Sequence, residues 1–235
     1  MSEWAPKRFW KSTEVAQTEG GYTVTLDGRS VRTPAKTLLV LPTQTLANAI
    51  AAEWDAQEDK VDPNTMPFTR TSNSALDKVR IQFSEVADML ADYGDSDLLC
   101  YRADGPAELV ERQARKWDPV LDWAAQELGA RLESRQGIMH EPQDASALAE
   151  LRARVHSLSA FQLAAFHDLV SLPGSLILGF ATSEGKLPAQ EAWKLSRLDE
   201  IWQAEQWGKD DEAEQMANIK QAAFEHASKF FGMAA

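Results

Sequence analysis

Residues 37–57, TLLVLPTQTLANAIAAEWDAQ, contain the change of period that decides the fold. Thr37 to Leu41 is a short apolar run of strand character, and Pro42 ends it. Thr43 then stands at a helix N-cap, and Leu46, Ile50 and Trp54 recur every four residues, the inner face of an amphipathic helix. Upstream, every signal is a strand signal. Phe9 to Ala16 predicts a first strand, and Glu19-Gly20-Gly21 a hairpin turn. Tyr22, Val24 and Leu26 alternate with Thr23 and Thr25, and Asp27-Gly28 turns the chain back towards Val31. Downstream, the signals are helical.

Helices are expected through Phe68, Ser72, Ala75 and Val79, and through Phe83, Val86 and Leu90. Pro106 opens a long helix that Gly129 closes, with Pro119 inside it as an expected kink or split. Residues 144–157, 159–172 and 174–184 read as three more, and Asp210 to Phe231 as the last. The predicted class is α+β, a small β-rich N-terminal domain followed by a larger all-helical C-terminal domain. The boundary is placed near Arg70, giving domains 1–70 and 71–235.

The 235 residues suffice for a proper hydrophobic core, and 44% hydrophobic with 26% charged residues describes a globular chain. A formal charge of −12 disfavours nucleic acid and anionic membrane as partners and favours a basic or apolar one. Cys100 is the only cysteine, which excludes an internal disulfide and a thiolate metal cage. No apolar run approaches the length of a membrane span.

Residues 191–208, EAWKLSRLDEIWQAEQWG, place three of the eight tryptophans among four acids. Read as one helix, Ala192, Leu195, Leu198 and Trp202 share a core-facing stripe, with Asp199 set inside it and Glu205 between Leu198 and Ile201. Glu200 falls on the opposite side, between Trp193 and Trp207. Two explanations fit: local pairing with Lys194 and Arg197 around packed tryptophans, or a partner-binding or acid/base face with aromatic anchors beside desolvated charge.

Catalytic signatures are sparse. Neither GxGxxG nor GxxxxGKS occurs, and Gly174-Ser175 lacks the second glycine of a nucleophile elbow. The histidines are His140, His156, His167 and His226, without an HExxH. His167-Asp168 with His156 upstream leaves open a metal-dependent phosphohydrolase, provided further ligands converge there. Cys100 reads as a buried structural thiol.

Five segments together resemble a known family. They are DGRSVRTPAKTLLVLPT (27–43), LANAIAAEWDAQ (46–57), DPNTMPFTR (62–70), HDLVSLPGSLILGF (167–180) and residues 191–208. In this order they are similar to the assembly chaperones of the F-type ATP synthase catalytic head that handle its α subunit, the Atp-twelve family, of alphaproteobacterial type. The resemblance implies a non-catalytic protein without cofactors, a monomer when free, that binds newly made α subunit until β replaces it. It implies the same α+β fold, and it assigns the family's sensitive acidic position to Glu200. The partner-binding set expected on that basis is Trp193, Asp199, Glu200, Trp202, Glu205 and Trp207. The N-terminus shows no Arg- and Ser-rich leader, so a bacterial cytoplasmic member is expected, with eukaryotic relatives in the mitochondrial matrix. The remaining alternatives are the phosphohydrolase and an acidic scaffold with no dedicated client.

Overall fold

The computed structural model describes residues 7–235 and divides them into two compact units. The first takes the chain up to Phe83 together with Ser159–Ala165 and Lys229–Ala235. The second takes Ser84–Leu158 and Phe166–Ser228. The class is α+β, as expected: an N-terminal sheet followed by a helical region.

In the first unit, β1 (Thr13–Thr18), β2 (Gly21–Leu26) and β3 (Arg29–Ser30) form an antiparallel meander. Asp27 and Gly28 both have positive φ, 48° and 77°, as a tight hairpin turn of this hand requires. The run 37–41 is not a continuous strand. Among the described residues it pairs only through isolated bridges, Arg32 to Leu38 and, onto β2, Tyr22 to Leu41. Gly21 explains the second: a Cβ there would lie 2.2 Å from the Leu41 carbonyl oxygen, so only glycine permits that approach.

Helix α1 (Gln44–Asp55) starts as its sequence demands, with Thr43 Oγ1 accepting from Leu46 N at 3.2 Å. It buries Leu46, Ala47 and Ile50, while Trp54 meets Trp10 edge-on at 5.3 Å. Helix α2 (Pro67–Ser74) continues into one wide turn over Ala75–Val79. Its first N–H groups find an unexpected cap in the Glu53 carboxylate, which accepts from Phe68 N at 2.6 Å and Thr69 N at 2.7 Å. Phe230 stacks on Phe68 and completes the core with Leu39, Leu41 and Met66.

The second unit contains α3 (Phe83–Ala91, all but its first residue), β4 (Tyr101–Arg102) and α4 (Ala107–Glu127). β5 (Arg135–Gln136) pairs parallel with β4, so this part is helical apart from one two-residue ladder. Helix α5 (Ala145–His156) follows, then α6 (Ala160–Ser171), whose last turns belong here, and α7 (Leu176–Ser183). Helix α4 runs unbroken through Pro119, because Trp117, Val120, Leu121 and Ala124 are buried around the missing N–H. Helix α7 is the centre of this unit: Leu176 through Thr182 are all buried.

A buried carboxylate organises that centre. Asp97 accepts from Leu99 N at 3.0 Å, Ser175 Oγ at 2.7 Å and Ile177 N at 2.9 Å, tying the turn before β4 to the first turn of α7. The three donors and the positive end of α7 hold charge there, while burial pushes the carboxyl up to about 6. Among the described residues no helix is long and apolar enough to cross a membrane.

Candidate functional site

The stretch 191–208 is two helices, not one. Helix α8 (Ala189–Ser196) ends at Arg197, whose φ of −106° and ψ of 17° leave the helical region, and α9 (Leu198–Trp207) begins afterwards. The break resets the angular phase, so a single wheel drawn through both misplaces residues across Arg197. Trp193 is 4% exposed and packs on Phe224 at 5.8 Å, whereas Trp207 is 80% exposed. The two tryptophans therefore do not flank Glu200 on one surface.

Helix α4 holds α9 in place. Arg112 meets Glu205 with both carboxylate oxygens, Nη2 to Oε1 at 2.9 Å, and lies 5.9 Å from the Trp202 ring centre. The Arg112 guanidinium also holds the Glu205 carboxyl below its usual range. Next to it, buried Gln113 donates to Asp199 Oδ1 at 2.8 Å and accepts from Ala103 N at 2.9 Å. The Trp117 indole donates to the Leu195 carbonyl at 3.0 Å. Three of the predicted partner residues, Asp199, Trp202 and Glu205, are thus already engaged by α4.

Glu200 stands differently. Among the described residues its carboxylate pairs only with Arg197, three residues earlier, at 3.0 Å, and its side chain is 48% exposed. An exposed pair of this kind contributes about 0–1 kcal/mol, so Glu200 does little to hold the fold. Arg112 and Gln113 are what sequence reading missed. Both lie on one amphipathic helix, 93 and 86 positions upstream of Glu205 and Asp199, and no local pattern announces the pairing.

His156 Nε2 lies 2.9 Å from Asp88 Oδ1 beside Arg152, and His167 Nδ1 lies 2.9 Å from its neighbour Asp168. Among the described residues no three His, Cys, Asp or Glu side chains converge as a metal ligand set, so the phosphohydrolase arrangement of His156, His167 and Asp168 is not formed. Cys100 is buried, and burial drives its thiol well above the ordinary range, away from thiolate chemistry.

Charge is divided unequally. Of the 36 acidic residues 26 lie in the second unit, with 13 of the 24 Lys and Arg, a formal −13; the first unit carries the other 10 and 11, a formal +1. The excess of the whole chain belongs to the unit that contains α9.

Comparison with known proteins decides the family. The model of the ATP12 chaperone protein family matches residues 7–125. The chain belongs to the ATP12 chaperone family. The crystal structure of Atp12 from Paracoccus denitrificans superposes with a TM-score of 0.96 at 52% identity, covering 99% of this chain and 100% of that one. An aspartate-to-lysine mutant of the same Paracoccus protein gives 0.97 at 52% identity over both chains in full. Atu1473 of Agrobacterium tumefaciens gives 0.91 at 43% identity, over 97% of this chain and 86% of that one. The mitochondrial protein atp12 of Schizosaccharomyces pombe is 29% identical over 224 residues, 90% of this chain and 77% of the relative. The alphaproteobacterial resemblance is therefore shown, and this ATP12 protein is a chaperone of ATP synthase assembly.

Proposed function

We propose that this ATP12 protein binds the free α subunit of the F-type ATP synthase through α9 and keeps it soluble until β takes its place. Glu200 carries the proposal. It sits on the acidic unit, half exposed, in a surface pair too weak to explain it as a structural element. Trp207, 80% exposed at the end of the same helix, supplies the apolar anchor. A free α subunit exposes an apolar surface that its neighbour later covers, and such a surface aggregates when left open. A basic side chain of the client displaces Arg197 from Glu200, and Trp207 covers adjoining apolar area. Because β must be able to replace the chaperone, the affinity is modest. The protein acts without catalysis or cofactor, as a monomer in the bacterial cytoplasm.

Relative to the expected set, the proposed contact narrows to Glu200 and Trp207. Asp199, Trp202 and Glu205 position α9 against α4, and Trp193 is core. Replacing Glu200 by Gln and co-expressing the variant with the α subunit tests it. Loss of soluble α with an unchanged melting transition supports a contact role; an unchanged yield of soluble α removes the charge from the mechanism.

A further inference from the structure

From Asp199 to Ala223 not one residue is buried, although 22 of these 25 lie in helix; burial resumes at Phe224. Helix α9 accounts for part of this, since α4 holds one of its sides. The first turns of α10 (Asp211–Met233) are more unusual, because every side chain from Asp211 to Met216 is exposed. Ten residues of helix, Asp211 to Lys220, extend about 15 Å at the usual rise. A helix that covers no core yet carries large apolar side chains is not explained by the packing of its own unit. Met216 is 50% exposed and Ile219 57% exposed, and a spacing of three puts them on one face.

Charge selects the occupant. Asp199, Glu200, Glu205, Asp210, Asp211, Glu212 and Glu214 stand on this segment against Lys209 and Lys220. Glu200, Glu205 and Glu214 have cationic partners within the chain, and Asp210 caps α10 by accepting from Glu212 N and Ala213 N. Asp211 and Glu212 make no ion pair among the described residues. A second copy of the chain would set these acids against each other, and anionic lipid would repel them. An apolar protein surface bordered by Lys or Arg satisfies both features.

We infer that the first half of α10 is a second docking element, in which Met216 and Ile219 insert into an apolar, basic-rimmed surface of the client while Asp211 and Glu212 meet its cations. This rests on the client reading above and extends the contact beyond α9. It also gives the chaperone two anchoring elements, so that losing either weakens the complex without abolishing encounter.

The test pairs the double variant Met216→Ser, Ile219→Ser with Ile81→Ser, an exposed apolar substitution (74%) in the first unit. Each full-length protein is titrated against the α subunit and is also run in sedimentation equilibrium alone. The double variant is expected to melt like wild type and to bind α roughly tenfold or more weakly, with Ile81→Ser unchanged. Equal binding by the double variant overturns the inference while wild-type binding leaves the client reading standing. An equal loss in Ile81→Ser overturns it as well, by showing a general effect of surface apolarity. A wild-type dimer that the double variant dissolves assigns the face to self-association and overturns it. If wild type itself does not bind α, the client reading fails, and this inference with it.

Discussion

At the scale of single residues, two carboxylates show opposite relations to the fold. Glu200 is half exposed in a surface pair, so Glu200→Gln should change unfolding free energy by less than about 1 kcal/mol, measured by urea denaturation. Asp97 is fully buried and its pKa is raised from 3.8 to about 6. Between those values the native state holds a proton that the unfolded chain has released, so stability is greatest below pH 4 and falls as pH rises through 6. A shift of this size corresponds to about 3 kcal/mol. Asp97→Asn cannot titrate, so the stability difference between wild type and this variant should slope across that window and flatten above it. A difference independent of pH would show that the donors from Leu99, Ser175 and Ile177 keep the carboxylate ionised throughout.

At the scale of elements, the close crossing of α6 and α7 depends on Gly179. A Cβ there would lie 2.8 Å from Val170 Cγ2 and 3.2 Å from the Leu169 carbonyl oxygen. Gly179→Ala should therefore destabilise by about 1–3 kcal/mol, as overpacking does. Gly232→Ala, inside α10 with open space around it, should be neutral or stabilise by up to about 1 kcal/mol. Denaturation midpoints of the two variants check the contrast. The elements themselves were largely legible, because period and capping residues act locally: Thr43 starts α1, Gly129 follows α4, and Asp27-Gly28 turns β2 into β3. What failed were the places where a tertiary partner overrides the local rule. Pro119 sits in an unbroken helix because the surrounding core holds it, and Thr37–Leu41 loses continuous strand pairing although its composition favours it. The break at Arg197 has no Gly or Pro to announce it, and one wheel through 191–208 therefore set Trp193 beside a residue it does not accompany.

At the scale of the molecule, the division of charge already follows the chain, since residues 1–83 balance 10 acids with 10 bases. The fold adds Ser159–Ala165 and Lys229–Ala235 to the first unit, which brings in only the charge of Lys229, and the acidic excess falls wholly on the second. The candidate site was legible to the same degree. Glu200 and Trp207 could be picked out, while their separation from Asp199 and Glu205 needed Arg112 and Gln113, distant in sequence. An acidic unit meeting a basic-rimmed client predicts association that slows as salt is raised, because exposed charges are screened beyond about 8 Å at physiological ionic strength. Stopped-flow mixing across a salt series should show the association rate falling more than the dissociation rate rises. The most direct measurement is co-expression of this ATP12 protein with the α subunit of the F-type ATP synthase, scoring soluble α with and without β. The account predicts that α stays soluble in the chaperone's presence and that β displaces it. Soluble α that is indifferent to the chaperone would contradict it.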